Sequence, residues 1–224
     1  MFNWLMLLSY AFNAEHADEK PTIIYVFDPM CGWCYGFSPV IAEVAIEYSD
    51  RYNFDILCGG MVIGDREGPI GNMSDYILSA IPRLEEYTGV KIGEPYIEIL
   101  NDGTYFSSSE MPSIAIQVFK HLSDENAVSF AEEVQKAMFL NGKSLNDINT
   151  YLELIKPYDI SSGEFVKCMN DPDFKRKTFA EFDYADQLGV TGYPTILLKQ
   201  NGNYKVLARG FVPLERLVSV LNNQ

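Results

Sequence analysis

The sequence predicts an α/β fold in which a βαβ unit and a ββα unit flank a large all-helical insertion. A short β-branched and aromatic run at residues 22–27 is followed by apolar residues at helical spacing, which is typical of a strand leading into a helix. Strand-like patterns then stop between about residues 73 and 188. Near the C-terminus, Asn201-Gly202 separates two further strand-like runs and predicts a hairpin.

The βαβ unit opens with the run TIIYVF, residues 22–27, whose composition predicts a buried strand. From Cys31 to Tyr48 the apolar residues follow a helical period. The run NFDILCGGMVIG, residues 53–64, predicts a second strand that Gly59-Gly60 interrupts. These segments place a Cys-x-x-Cys motif at the first turn of a βαβ unit.

The insertion is predicted to contain helices only, because caps and first-turn prolines precede its periodic apolar segments. Ser161 and Glu164 have the spacing of a capping box. The expected helices run over residues 74–84 and 94–100, from Pro112, from Ser123 to Met138, from Ser161, and from Asp171 to Leu188.

The ββα unit follows Gly189, which is suited to end the last helix of the insertion. Residues 195–198 and 204–209 predict two strands, and residues 214–221 predict an amphipathic helix. We therefore expect three segments, namely an N-terminal extension or signal at 1–20, a domain formed by 21–70 with 189–224, and an insertion at 71–188.

Composition limits the function classes. The chain has 224 residues and is 47% hydrophobic, which is enough for a core without disulfide support. Its formal net charge of −14 would repel polyanions and anionic membrane surfaces. Neither nucleic acid nor membrane is therefore expected as a partner.

The N-terminal segment Phe2–Phe12 is apolar but too short to span a bilayer. A secretory signal begins with positive charge, and no Lys or Arg precedes Lys20. The best small-x-small site, Ser9-Tyr10-Ala11, would leave a very short signal. We expect a short extension and a cytoplasmic location, with export to the periplasm as the alternative.

The motif Cys31-Gly32-Trp33-Cys34 raises three alternatives, namely a redox pair, half of a metal site or two inert buried thiols. A cysteine at a helix start faces free backbone N–H groups and the positive end of the helix dipole, which favour the nucleophilic thiolate. A second cysteine one turn later can resolve a mixed disulfide. A Cys-x-x-Cys motif beside a βαβ pattern indicates this chemistry.

The competing interpretations fit less well. A closed zinc site needs four ligands, and the chain has one such cysteine pair and two histidines, His16 and His121, without ligand spacing. No metal is therefore expected. Buried inert thiols are common, and we expect Cys58 and Cys168 to be of this kind, with a regulatory disulfide between them as the alternative.

A second signal is GVTGYPT, residues 189–195, in which Pro194 directly precedes an apolar strand. Proline cannot donate a ladder hydrogen bond, and an X-Pro bond reaches the cis form readily. The topology places this proline at the strand beside residues 22–27, near the Cys31 turn. The competing interpretation is an ordinary edge-strand proline.

With DPMCGWC after the first strand, a long helical insertion and GVTGYPT before the closing ββα unit, the sequence resembles the DsbA-like branch of the thioredoxin superfamily. The motif and Gly59-Gly60-Met61 are similar to the FrnE-type group of disulfide oxidoreductases, and protease adaptors are similar in the same region. The resemblance covers residues from about 21 to the C-terminus. It implies a thioredoxin fold, βαβ…ββα, with an all-helical insertion.

The resemblance also implies roles for site residues. Cys31 would be the nucleophile, Cys34 the resolving thiol and Pro194 a cis proline. Tyr193 would offer its backbone to an extended substrate, and Trp33 would either contact substrate or pack at the helix start. The redox-active Cys31–Cys34 disulfide would need no further cofactor, although glutathione is a candidate thiol.

Two departures from the family pattern affect the expected chemistry. Tyr25 stands where many members carry a buried acid, which leaves the proton acceptor of Cys34 open between Asp28 and other groups. Gly32-Trp33 replaces the Pro-His pair of strongly oxidising members. We therefore expect a less oxidising pair than DsbA, whose potential is about −120 mV.

These patterns predict a thiol–disulfide oxidoreductase or isomerase acting on protein or peptide thiols, together with an unidentified redox partner. One alternative is a protease adaptor that keeps the fold and binds its partner without catalysis. Another is a glutathione-dependent transferase or isomerase, whose members typically carry serine where Cys31 stands.

Overall fold

The computed structural model describes residues 20–224, so the extension or signal predicted at residues 1–20 lies, apart from Lys20, outside the described residues. The six strands within this range are β1 (Thr22–Phe27), β2 (Asn53–Cys58), β3 (Gly68–Pro69), β4 (Phe106–Ser107), β5 (Thr195–Gln200) and β6 (Asn203–Arg209). The nine α-helices of the same range are α1 (Gly32–Glu47), α2 (Ser74–Thr88), α3 (Glu94–Asp102), α4 (Glu110–Leu122), α5 (Ala127–Phe139), α6 (Ile148–Leu154), α7 (Ser162–Met169), α8 (Pro172–Gln187) and α9 (Leu214–Asn222).

Four strands form the central sheet in the order β2-β1-β5-β6. β1 runs parallel to β2, as the crossover through α1 requires, and antiparallel to β5. The hairpin between β5 and β6 turns at Asn201-Gly202, where both residues have positive φ, as the favoured two-residue turn demands. This arrangement confirms the predicted α/β fold of the thioredoxin type with a helical insertion.

β1 is buried on both faces, which explains its unbroken apolar sequence. Ile23, Tyr25 and Phe27 face the larger core, on the side of α1. Ile24 and Val26 face a smaller core, whose other members include residues of α8 and β5. The sheet thus lies between α1 and α8, and the end of β1 leads directly into the turn before α1.

The insertion is packed onto the sheet domain. α5 lies against α1, and α4 packs against both α5 and α8. Phe119 of α4 and Phe130 of α5 stack with ring centroids 4.2 Å apart, and both side chains are fully buried. The larger core therefore continues from the sheet into the insertion.

Several element boundaries differ from the predictions. β2 ends at Cys58 instead of continuing to residue 64, and Gly60, with a φ of 64°, leaves the extended conformation. α5 begins at Ala127, where the Asn126 side chain caps the amide of Val128, and not at Ser123. Ser161 is the N-cap of α7 but makes no side-chain capping bond.

Three short elements, namely β3, β4 and α6, were not predicted. Phe106–Ser107 forms β4, which pairs with Gly68–Pro69 and places one two-residue strand within the insertion. The seven residues Ile148–Leu154 form α6, which is too short for its period to stand out in the sequence. Among the helices of residues 20–224, none has the length and apolar character needed to cross a bilayer.

Candidate redox site

Cys31 is the N-cap of α1 and has an extended backbone, with φ −88° and ψ 112°. Its amide donates to the carbonyl of Asp28 at 3.0 Å, which closes the turn after β1. Its sulfur accepts the amide of Cys34 at 3.3 Å. A sulfur held at a helix N-terminus against a free N–H group is the arrangement that favours a thiolate.

Cys34 lies one turn further along α1 and is completely buried, whereas Cys31 keeps 6% of its surface exposed. Burial raises the pKa of the Cys34 thiol well above its ordinary value, and the neighbouring Cys31 raises it further. The two thiols therefore differ in burial and in their position along α1. Thiol–disulfide exchange by a dithiol needs one sulfur that a partner can reach and a second sulfur that can attack it.

Tyr25 occupies the space beneath Cys34. Its side chain is buried, and its hydroxyl donates to the Cys34 carbonyl at 3.3 Å. Burial raises the pKa of Tyr25 well above its ordinary value, and the nearby Cys34 and Cys31 thiols add to this rise. The group at this position is therefore a neutral phenol that donates a hydrogen bond.

Asp28 is also buried, and both of its carboxylate oxygens are occupied. One accepts the amide of Met30 and the hydroxyl of Ser109, each at 2.8 Å, and the other accepts the amide of Met61 at 2.6 Å. Burial raises the pKa of Asp28, while the hydrogen bonds from Met61, Met30 and Ser109 oppose the rise. Asp28 thus joins the turn before α1 to the loop after β2 and to the start of α4.

Tyr193 and Pro194 lie opposite Cys31. The bond between them is cis, and the Tyr193 carbonyl oxygen is 3.7 Å from the Cys31 sulfur. Thr195 then begins β5 and pairs with Val26 of β1. This pairing brings the segment before β5 to the turn that carries Cys31, although 162 residues separate Cys31 from Tyr193.

The Tyr193 ring packs over the backbone at Gly59. Its hydroxyl donates to the Gly59 carbonyl at 2.6 Å, and a Cβ atom at Gly59 would lie 2.1 Å from the ring. Burial raises the pKa of Tyr193 to about 12, and the Asp28 carboxylate contributes to this rise. The ring is therefore fixed, and glycine is required beneath it.

Trp33 is partly exposed at the rim of the site. Its ring meets Tyr87 of α2 edge to face, with centroids 6.4 Å apart, and the Arg83 guanidinium lies 5.4 Å from the centroid of the Tyr87 ring. The first turn of α1 and the end of α2 thus share an aromatic rim. Contact of Trp33 with substrate stays a prediction.

The other two cysteines lie on separate elements. Cys58 ends β2 and is fully buried, and burial raises the pKa of its thiol well above the ordinary value. Cys168 lies on α7 and is partly exposed. All four cysteines are free thiols. No group of three or more His, Cys, Asp or Glu side chains that could hold a metal ion is found within residues 20–224.

Two buried side chains of the site, Ser109 and Gln135, were missed by sequence reasoning. Gln135 of α5 is completely buried, and its side-chain nitrogen donates to the carbonyls of Asp28 and Cys31, each at 3.3 Å. The signal for it was a glutamine next to Val134 and one turn from Met138, on the apolar face of a predicted helix. The sequence could not show which backbone groups it meets.

The chain is similar to a known domain family and to several solved structures. The DSBA-like thioredoxin domain matches residues 22–222. A solved putative protein disulfide isomerase from Nitrosomonas europaea is 22% identical, with a TM-score of 0.78 over 92% of this chain and 97% of that one. The cytosolic disulfide reductase DsbM from Pseudomonas aeruginosa is 27% identical, with a TM-score of 0.71 over 84% of this chain and 89% of that one.

A curated relative has a different described role. The ClpXP adapter protein SpxH of Bacillus subtilis (strain 168) is 22% identical over 198 residues, which are 88% of this chain. This chain spans 64% of the length of that relative. The same description applies to a relative from Halalkalibacterium halodurans, 19% identical over 84% of this chain and 62% of the relative.

Proposed function

We propose that this chain, which belongs to the DSBA-like thioredoxin domain family, is a thiol–disulfide oxidoreductase that acts on protein thiols and disulfides through Cys31 and Cys34. One observation carries the proposal. The Cys31 sulfur lies at the N-terminus of α1, accepts the Cys34 amide at 3.3 Å and is 3.7 Å from the Tyr193 carbonyl. A nucleophile, a resolving thiol and a backbone edge for substrate are thus within one site.

In the reducing direction, the Cys31 thiolate attacks one sulfur of a substrate disulfide. The substrate S–S bond breaks, a mixed disulfide forms, and the first substrate sulfur leaves as a thiolate that takes up a proton. Cys34 then loses its proton and attacks the Cys31 sulfur. The second substrate thiolate leaves, and the Cys31–Cys34 disulfide holds the oxidation. Two thiols of an unidentified redox partner then reduce the Cys31–Cys34 disulfide to the dithiol and are themselves left as a disulfide. Oxidation of substrates is the same sequence in reverse.

The proton of Cys34 needs an acceptor. The Asp28 carboxylate already accepts three hydrogen bonds, and the Tyr25 hydroxyl is a donor. We assign the acceptor role to the departing substrate thiolate, which is basic and leaves as Cys34 attacks. Because burial raises the pKa of Cys34, its proton stays in place until that moment.

The adaptor function is the second candidate, because curated relatives are described as ClpXP adapters. Such a protein would hold its partner through surface contacts whether or not its cysteines react. A third candidate uses glutathione as the thiol, since a DsbM structure, 25% identical to this chain, is described as containing GSH. The same relative is described as cytosolic, which supports a cytoplasmic location for this chain.

A trapping experiment separates these candidates. Cys34→Ala should accumulate covalent mixed disulfides with protein substrates that reductant releases, and Cys31→Ser should lose insulin reduction and refolding of scrambled protein. Cys168→Ser is the matched control, since it removes a thiol of α7 that is not part of the site. Retention of wild-type activity by Cys31→Ser would refute the oxidoreductase. A partner held equally by all three variants without a covalent bond would identify an adaptor.

A further inference from the structure

A single buried side chain connects the helical insertion to the backbone beside the dithiol. Gln135 lies on α5, and its side-chain nitrogen donates to two carbonyls in the turn of residues 28–34, which we call the redox turn. The glutamine is completely buried. Its two contacts flank Cys31, one from the carbonyl of Asp28 and one from that of Cys31 itself.

Both carbonyls already shape the redox turn. The carbonyl of Asp28 accepts the amide of Cys31 at 3.0 Å, and the carbonyl of Cys31 accepts the amide of Tyr35, the first bond of α1, at 3.0 Å. Gln135 adds a second donor to each. These contacts fix the backbone on both sides of the Cys31 side chain and so hold its sulfur toward the Cys34 amide, 3.3 Å away.

The oxygen of the Gln135 side-chain amide, unlike its nitrogen, makes no hydrogen bond to the described residues. This oxygen is also buried. A buried acceptor without a partner costs stability, so an apolar residue of similar size would suit this position better for packing alone. What a glutamine offers at this position, and an apolar residue does not, is the pair of hydrogen bonds that its amide nitrogen donates.

We propose that Gln135 is a positioning residue for the dithiol. Its amide fixes the redox turn so that the Cys31 sulfur faces the Cys34 amide. Gln135 thereby affects how readily the Cys31–Cys34 disulfide is reduced. The proposal rests on the proposed function for its redox consequence. A hydrogen bond to a sulfur strengthens when the sulfur is a thiolate. The contact between the Cys34 amide and the Cys31 sulfur therefore stabilises the reduced form of the pair. Loosening this contact makes the pair more reducing.

The test is the equilibrium between the Cys31–Cys34 pair and a glutathione redox buffer, together with the thiolate absorbance of the reduced protein at a fixed pH. Gln135→Met removes both donors at nearly constant volume. Gln135→Asn keeps an amide that is one methylene too short and serves if the first variant does not fold. The matched control is Gln117→Met, another glutamine of the insertion, whose side chain has no hydrogen bond to the redox turn among the described residues.

We expect both Gln135 variants to shift the equilibrium toward the disulfide by about three- to tenfold and to lower the thiolate absorbance, because one or two neutral hydrogen bonds are lost. Gln117→Met should stay within about twofold of wild type. Gln135 variants that match wild type, or an equal shift in Gln117→Met, would overturn the proposal. Wild-type protein that never exchanges with glutathione would refute the oxidoreductase instead, and the thiolate absorbance would still measure the effect of Gln135.

Discussion

The Cys31 sulfur lies 3.7 Å from the backbone carbonyl of Tyr193, and the hydroxyl of the same tyrosine is bonded to the carbonyl of Gly59. Tyr193 therefore connects the segment before β5 to the end of β2, beside the Cys31 sulfur. A group bonded to the Cys31 sulfur must pass alongside this backbone. The site is thus built from three separate parts of the chain, and its parts can be tested one at a time.

The two cysteines of the motif should differ sharply toward an alkylating reagent. Cys31 keeps 6% of its surface exposed at the start of α1, whereas Cys34 is fully buried and burial raises its pKa. Brief treatment of reduced protein with iodoacetamide near neutral pH should modify Cys31 and leave Cys34 unmodified, as peptide mass spectrometry will report. The experiment uses a Cys168→Ser background, because Cys168 is partly exposed. Equal modification of both would contradict the asymmetry.

Gly59→Ala should disturb Tyr193, because the added Cβ would lie 2.1 Å from the ring. We expect a loss of about 2–3 kcal/mol in unfolding free energy, typical of overpacking, and slower disulfide exchange. The control is Gly163→Ala in α7, where the nearest atom would be 3.8 Å away and the change should be neutral or slightly stabilising. Urea unfolding and insulin reduction measure both effects. A Gly59→Ala protein as stable as wild type would contradict the packing described.

Short sequence patterns correctly predicted the turns and helix caps whose conformation depends on residues adjacent in sequence. The β1–α1 turn, the Asn201-Gly202 hairpin and the Asp171 cap of α8 each depend on a few adjacent residues, and all are present in the structure. The cysteine motif also lies at the predicted strand-to-helix turn. Such features are determined by backbone conformation and local hydrogen bonds, which a sequence expresses directly.

Contacts between distant elements were not predictable in the same way. Ser109 and Gln135 belong to the insertion, yet both bond to Asp28. Nothing in their local sequence specifies that partner, because it depends on how α4 and α5 pack against the sheet domain. The predicted start of α5 at Ser123 was wrong for a related reason, since Asn126 competes as a cap and provides the bond.

Asp28→Asn should change the pH dependence of stability. Burial raises the folded-state pKa of Asp28, so its favourable contribution is present below the ordinary aspartate pKa and is lost as pH rises through the raised value. The unfolding free energy of wild type relative to Asp28→Asn should therefore fall as pH rises above about 4, and should level off above the raised pKa of Asp28. Urea unfolding at several pH values measures the difference. A constant difference, or one of opposite sign, would show that the hydrogen bonds to Asp28 outweigh its burial.

Lys120→Met should destabilise the junction between the sheet and the insertion. Lys120 lies on α4 and bonds Asp55 of β2 at 2.8 Å, Glu181 of α8 at 3.0 Å and the carbonyl of Ile56 at 2.8 Å. Glu181 is largely buried and also accepts the amide of Cys58. Removing the cation leaves this carboxylate without its charge partner, which costs about 3 kcal/mol for a buried pair at neutral pH.

The loss should depend on pH in a defined direction. Burial already raises the pKa of Glu181 and Lys120 opposes that rise, so the pKa of Glu181 in Lys120→Met moves higher still. The destabilisation is therefore full above that raised value and shrinks as pH falls through it, because the protonated acid needs no cation. Arg176→Met, which breaks an exposed pair with Asp173, is the control and should change stability little at any pH. A penalty for Lys120→Met that grows on acidification would exclude this account and leave lost side-chain packing as the cause.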